Sequence, residues 1–132
     1  FRRVLFRSKE SKIAEVNNEK DVAIQLCDEA LSDLAQAQSH LSASDYNELQ
    51  ESFLFLKDIV LAYKYHANVL IHYYYYKNSG SGLSDVENAI SEMLSHADYL
   101  ESTYGNNNYF IDKRGTASGN LKEFADDISG ML

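Results

Sequence analysis

Several residue types are scarce or absent in this chain of 132 residues. It has no proline and no tryptophan, and its one cysteine, Cys27, has no second thiol for an internal disulfide. The absence of proline favours long uninterrupted helices, because proline breaks a helix interior. No run of 18 apolar residues occurs, so the sequence predicts no membrane-spanning helix. Cys27 lies within a helical apolar pattern, and we expect a buried structural thiol there.

Positive charge is also scarce. Twelve lysines and arginines face 20 aspartates and glutamates, which gives a formal net charge of −8. This balance makes sequence-general binding to nucleic acid or to an anionic membrane unfavourable, since both require a basic surface. Apolar residues make up 45% of the chain and ten residues are tyrosine. Such a composition argues against disorder and predicts one folded domain over residues 9–132.

The first eight residues, FRRVLFRS, do not match the acidic remainder. The apolar run within them is too short for a secretory signal. A basic binding arm is one interpretation. All eight residues also resemble the translation of the 3′ end of a widely used sequencing adapter, which implies read-through from an untrimmed assembly. We therefore expect residues 1–8 to be foreign, and residues 9–132 to be the C-terminal part of a larger protein. Localisation stays open.

Apolar periodicity predicts an all-α fold. The first helix is expected over about 18–39. Its apolar stripe comprises Val22, Leu26, Ala30, Leu34 and Ala37, widened by Ile24, Cys27 and Leu31. The short link that follows predicts an antiparallel second helix. The third helix is expected to end at Gly105. Together with a short C-terminal helix, these elements predict an up-down antiparallel bundle of three main helices plus a short fourth.

The second helix carries two apolar stripes, which predicts contact with more than one neighbour. A heptad seam comprises Leu49, Phe53, Leu56, Val60, Tyr63, Ala67, Leu70 and Tyr74. The second stripe comprises Phe55, Ile59, Ala62, His66, Val69, Tyr73 and Tyr76. The third helix has a seam of Val86, Ile90, Met93, Ala97, Leu100 and Tyr104, and the fourth is expected to bury Leu121, Phe124, Ile128 and Leu132.

Helix starts are predicted from capping residues. Asp45 resembles the start of a capping box for the second helix, and Ser44 is the competing N-cap. Ser84 begins a full capping box for the third helix, and Asn120 can cap the fourth.

Patterns typical of catalysis are missing. No Gly-rich phosphate loop and no nucleophile motif occurs. Glu92 and His96 are four residues apart and could share one metal ion, but such a pair is more often a surface contact. We therefore predict no catalytic residue, no metal and no cofactor, and do not expect this stretch to be an enzyme by itself.

The sequence His72-Tyr73-Tyr74-Tyr75-Tyr76 is the unusual surface signal. Four consecutive helix positions cannot all face one core. In one interpretation the tyrosines pack at the end of the bundle while Tyr75 stays partly exposed. In the other they form an aromatic patch for another domain or a ligand, completed by the loop that carries Tyr109 and Arg114. The predicted contact residues are Tyr73, Tyr74, Tyr75, Tyr76, Tyr109 and Arg114.

The segment Leu26-Cys27-Asp28-Glu29-Ala30-Leu31, followed by a long Leu- and Tyr-rich helix from Phe53 to Tyr76, resembles a known arrangement. Over residues 18–104 the chain is similar to the α-helical region that follows the catalytic barrel in large bacterial glycoside hydrolases. The resemblance implies a non-catalytic accessory role, packed on a domain upstream in the same chain. An independent helical module that binds a protein partner is the alternative.

Overall fold

A computed structural model describes residues 10–110 and 115–132, with side chains from residue 15 onwards. The predicted all-α bundle is confirmed. Helix α1 spans Glu10–Ala37, α2 spans Ala43–Ser79, α3 spans Leu83–Tyr104 and α4 spans Ala117–Gly130. Short 3-10 turns follow α1 and α3, and one isolated β-bridge joins Tyr109 to Thr116. The segment FRRVLFRS and Arg114, both named in the sequence predictions, lie outside the described residues.

Helix α2 is the central element, because it contacts α1, α3 and α4. Its antiparallel register with α1 is marked by two ion pairs, Lys57–Asp28 and Lys64–Asp21. The two lysines are seven residues apart, as are the two aspartates, so both pairs fall on one edge of the α1–α2 contact. The expectation that the second helix touches more than one neighbour is confirmed.

The main core lies among α2, α3, α4 and the loop before α4. It consists of Ile59, Ala62, Val69, Val86, Ala89, Ile90, Met93, Ala97, Leu100, Phe110, Ala117, Leu121, Ala125 and Ile128. The predicted seam of α3 is confirmed, since its members from Val86 to Leu100 are all buried. No residue of α1 from 15 onwards, where its side chains are described, belongs to this cluster. The buried apolar side chains of α1, Cys27 and Leu34, lie outside it.

On α2 the two apolar stripes have unequal burial. The heptad seam does not form the core, and its members Leu49 and Leu56 are exposed. The second stripe is the more deeply buried, with Ile59, Ala62 and Val69 enclosed. The physical reason is that α3 and α4 pack on the second stripe, whereas the seam lies to one side of that contact.

Helix α1 also differs from its predicted form. It begins at Glu10, eight residues before the predicted start. Two members of its expected apolar stripe, Val22 and Leu26, are exposed, while Cys27 and Leu34 are buried. Cys27 and Leu34 are seven residues apart and define the face of α1 that packs on α2. Leu26 lies about 100° away from that face.

Three predicted caps are wrong. Ser42 caps α2 by accepting from the backbone N–H of Asp45. Gly82, in the left-handed region, precedes α3 without a side-chain cap, so Ser84 is not its N-cap. Thr116 caps α4, which therefore begins before Asn120. In each case the helix starts earlier than predicted because an upstream residue takes the cap position. The predicted stop at Gly105 is confirmed, and Leu132, expected to be buried, is exposed.

Candidate functional site

The tyrosine-rich end of α2 packs in part against the C-terminus of α4. The hydroxyl of Tyr73 donates to Met131 Sδ at 3.7 Å, and Lys77 Nζ donates to the Met131 carbonyl oxygen at 2.7 Å. Lys77 Nζ also lies 5.5 Å from the ring centroids of both Tyr73 and Tyr76. Tyr73 and Tyr76 therefore help to hold α4 against α2, with the lysine as a cation over both rings.

The other two tyrosines differ in exposure. Tyr75 is 52% exposed. Its ring lies close to Gly82, since a Cβ placed on that glycine would be 3.5 Å from the ring. Tyr74 is half-buried. The interpretation in which the tyrosines pack at one end of the bundle while Tyr75 stays partly exposed agrees with this placement.

The loop residue Tyr109 lies elsewhere. It is 50% exposed, but the next residue, Phe110, is buried with its ring centroid 4.4 Å from that of Tyr63. Tyr63 is ten residues before Tyr73 on α2, a separation of about 15 Å along a helix. The structure therefore places Tyr109 at a different level from the tyrosines at the end of α2. Arg114 is outside the described residues.

Sequence reasoning missed a buried polar cluster between α2 and α3. The Asp58 side chain is only 8% exposed, and its Oδ2 accepts from the hydroxyls of Tyr99 at 3.0 Å and Tyr104 at 2.5 Å. His96 Nε2 is 2.8 Å from the backbone carbonyl oxygen of Asp58. A carbonyl oxygen can only accept, so Nε2 carries the proton. Aromatic rings surround the cluster, since Tyr65 and Tyr99 both pack against His96.

The surroundings of Asp58 change the titration of both tyrosines. Burial raises the pKa of Tyr104, and the hydrogen bond to Asp58 raises that pKa further. The pKa of Tyr99 is raised by the same two causes in the same order. Both phenols therefore remain protonated donors at neutral pH and satisfy the carboxylate. The carboxylate of Asp58, bonded to the hydroxyls of Tyr99 and Tyr104, thus joins α2 to α3.

One sequence signal could have revealed this cluster. Asp58 lies four residues before Ala62 and eleven before Val69, in phase with the buried stripe of α2. An acidic residue at an apolar position of a helix requires a partner. The identity of that partner was not predictable, because Tyr99 and Tyr104 are 41 and 46 residues away.

The interpretation of Glu92 and His96 as a surface pair is wrong. His96 is buried and bonds to the Asp58 backbone, whereas Glu92 is exposed. Within the described residues, no group of three or more His, Cys, Asp or Glu side chains could hold a metal ion. Cys27 is buried as expected, and burial raises the pKa of its thiol.

Four exposed aliphatic side chains lie on one edge of the α1–α2 pair, whereas the exposed Leu54 lies on the side of the ion pairs. Leu26 and Asp28 flank the buried Cys27 on either side, and Asp28 pairs with Lys57. Leu26 therefore lies on the edge opposite the ion pairs. We call the exposed residues of this side the apolar edge: Val22, Leu26, Leu49 and Leu56.

On α2, too, the apolar residue and the ion-pair residue lie on opposite edges. Leu56 and Lys57 are consecutive and therefore about 100° apart around the helix. The half-buried Phe53 and Val60 lie between them in the helical projection. Because residue 57 lies level with residue 28 in the register of the ion pair, Leu56 and Leu26 are within about one helical turn of each other.

Comparison of the chain with protein-family models, with curated proteins and with solved structures gives no match. None of the helices in the described part of the chain has the length and apolar character that crossing a bilayer requires.

Proposed function

We propose that this chain is a non-catalytic helical domain that packs on another domain or protein. The observation that carries the proposal is the apolar edge. Leu26 is 59% exposed, and Val22, Leu49 and Leu56 are also exposed on this side of the α1–α2 pair. Exposed apolar side chains grouped on one side of a folded domain are typical of a contact site.

The absence of a catalytic role is part of the proposal, and the state of Asp58 supports it. This carboxylate is buried and already accepts hydrogen bonds from the hydroxyls of Tyr99 and Tyr104. A general acid or base must reach a substrate atom. A carboxylate that accepts from two protein hydroxyls between packed helices is not placed to do so.

The experiment replaces Leu26 and Leu56 by glutamine in one variant of the chain, with Leu83→Gln as the matched control. Leu83 is an exposed leucine at the start of α3, away from the apolar edge. We expect the double variant to lose fluorescence of a bound apolar dye and to keep its free energy of unfolding. A loss of roughly 2 kcal/mol or more would show that the two leucines serve folding instead, and would overturn the proposal.

For the larger protein, we propose an accessory domain of a carbohydrate-active enzyme, packed on a catalytic domain. The support is the similarity of residues 26–31 and of the Leu- and Tyr-rich segment from Phe53 to Tyr76 to such regions. Sequencing of the gene upstream of this stretch tests the proposal. A barrel domain with paired carboxylates in the same reading frame is expected, and a stop codon just upstream would contradict it.

An independent module that binds a separate protein is the second candidate function. The apolar edge favours it as well, because such a surface fits a partner in the same chain or in another. The upstream reading frame distinguishes the two.

A further inference from the structure

The stretch of chain that carries the apolar edge is rich in negative charge, and the lysine at its start, Lys20, lies over the Tyr63 ring with its Nζ 5.1 Å from the ring centroid. Between Lys20 and Lys57 the sequence contains seven aspartates and glutamates and no lysine or arginine. All four residues of the apolar edge fall within this stretch. The two lysines on the opposite edge, Lys57 and Lys64, are already paired with Asp28 and Asp21.

Acidic side chains therefore border the exposed leucines. Glu29 and Asp33 follow Leu26 on α1, and Glu48 immediately precedes Leu49 on α2; all three are exposed. An apolar surface with a border of one sign selects a partner with apolar residues and the opposite charge.

The spacing of the surface indicates the shape of that partner. Leu49 and Leu56 are seven residues apart, which is about 10 Å along α2. In the register of the ion pairs, Leu26 on the neighbouring antiparallel helix is within about one helical turn of Leu56 and about 15 Å from Leu49. Leucines exposed at this spacing on two adjacent helices suit the apolar side chains of a third helix.

We propose that the apolar edge binds a basic amphipathic helix, with leucine-like residues against Leu26, Leu49 and Leu56 and lysines or arginines against the acidic border. This inference rests on the proposed docking function and names the chemistry of the partner. A second copy of the chain is disfavoured as the occupant, because two acidic borders would then face each other. An anionic membrane is disfavoured for the same reason.

The test uses two synthetic helical peptides with the same leucines at heptad spacing, one with lysines at the flanking positions and one with glutamates. Binding to the full chain is measured by fluorescence anisotropy at low and high salt. We expect the lysine peptide to bind more weakly as salt rises, and the glutamate peptide not to bind. The Leu26→Gln, Leu56→Gln double variant should weaken binding by roughly tenfold or more, and Leu83→Gln should leave it unchanged.

A charge variant isolates the acidic border. Glu29→Gln with Asp33→Asn should weaken binding of the lysine peptide and reduce its salt dependence, with the circular dichroism of the chain unchanged. Equal binding of both peptides, or binding that the double leucine variant does not affect, would overturn the inference. So would a dimer of the chain that the double leucine variant dissociates. Dye binding by the apolar edge without binding of the lysine peptide would contradict this inference alone and leave the proposed docking function standing.

Discussion

Asp58 shows how one residue joins two helices. A buried carboxylate loses its hydration, and the loss is offset only by hydrogen bonds and suitable neighbours. Here two phenols from the C-terminal half of α3 donate to one oxygen, and His96 bonds to the backbone of the same residue. Phe55, one turn before Asp58, packs edge-on against Tyr104 with a centroid distance of 5.0 Å. Polar and aromatic contacts therefore both join α2 to the C-terminal half of α3 at this point.

Tyr104→Phe tests this cluster with a change of a single oxygen atom. We expect the free energy of unfolding to fall by about 1–3 kcal/mol, because a buried carboxylate loses a charge-assisted hydrogen bond. Denaturation by urea measures the change. Tyr99→Phe is the matched control, since Tyr99 donates to the same oxygen but is more exposed. If Tyr99→Phe loses as much free energy of unfolding as Tyr104→Phe, or more, then burial does not make the Tyr104 hydrogen bond the stronger of the two.

The raised pKa values of Tyr99 and Tyr104 predict alkaline sensitivity. An unfolded tyrosine loses its proton near its ordinary pKa of 10.0, whereas burial and Asp58 keep the folded phenols protonated at higher pH. Stability from this source is therefore fully present below about pH 10 and is lost as pH rises above it. The buried thiol of Cys27 adds a loss in the same direction, starting near its ordinary pKa of 9.0.

Unfolding measured between pH 8 and pH 11 checks this expectation. The free energy of unfolding of Tyr104→Phe should fall less steeply above pH 10 than that of the unchanged chain. Parallel curves for the two proteins would show that Tyr104 titrates normally in the folded state.

Helix α2 illustrates the behaviour of a whole element. It has 37 residues, and it packs against α1 on one side and against α3 and α4 on the other. Its end is set by Gly80, which has φ of 69° and donates its N–H to the Tyr76 carbonyl oxygen at 2.8 Å. Such a left-handed C-terminal glycine ends the helix and lets the chain turn back into α3.

Gly80→Ala tests the end of α2. We expect a loss of about 1–2 kcal/mol, because a residue with a Cβ is strained in the left-handed region even though the space around Gly80 is open. Gly130→Ala is the control, since Gly130 is also in open space and does not have a positive φ. Thermal unfolding of both variants measures the difference. A Gly80→Ala protein as stable as Gly130→Ala would contradict the conformational explanation.

At the scale of the whole molecule, the bundle divides into a well-enclosed part and an attached helix. The continuous buried cluster belongs to α2, α3, α4 and the loop before α4, and none of the described side chains of α1 is a member of it. Helix α1 packs chiefly on α2, and its two described ion pairs are on an exposed edge, where such pairs contribute little. The free energy that holds α1 should therefore be smaller than that of the whole fold.

Native-state hydrogen exchange tests this difference. Amides in the middle of α1 should exchange through an opening that costs less free energy than the opening that exposes the middle of α3. Helix α3 is the suitable reference because its seam, from Val86 to Leu100, is buried throughout. Equal protection of α1 and α3, both matching global unfolding, would show that the four helices form one cooperative unit.

Helices α3 and α2 show when apolar periodicity in the sequence identifies the buried face of a helix and when it does not. On α3 only one face is apolar, so the predicted seam and the buried face coincide. On α2 two apolar stripes compete, and the regular heptad spacing of Leu49, Phe53 and Leu56 does not identify the buried one. The predicted tyrosine patch was similarly ambiguous, because the burial of four consecutive residues depends on which neighbours surround the helix.

The sequence by itself determined the helices, their order and their antiparallel connection, because apolar spacing, short links and glycine stops act over a few residues. Tertiary structure alone decided which stripe of α2 is buried, that Leu26 and Leu56 remain exposed on one edge, and that Asp58 meets Tyr99 and Tyr104. The physical reason is that periodicity records which faces are apolar, whereas burial and long-range hydrogen bonds depend on the neighbour that each face finds.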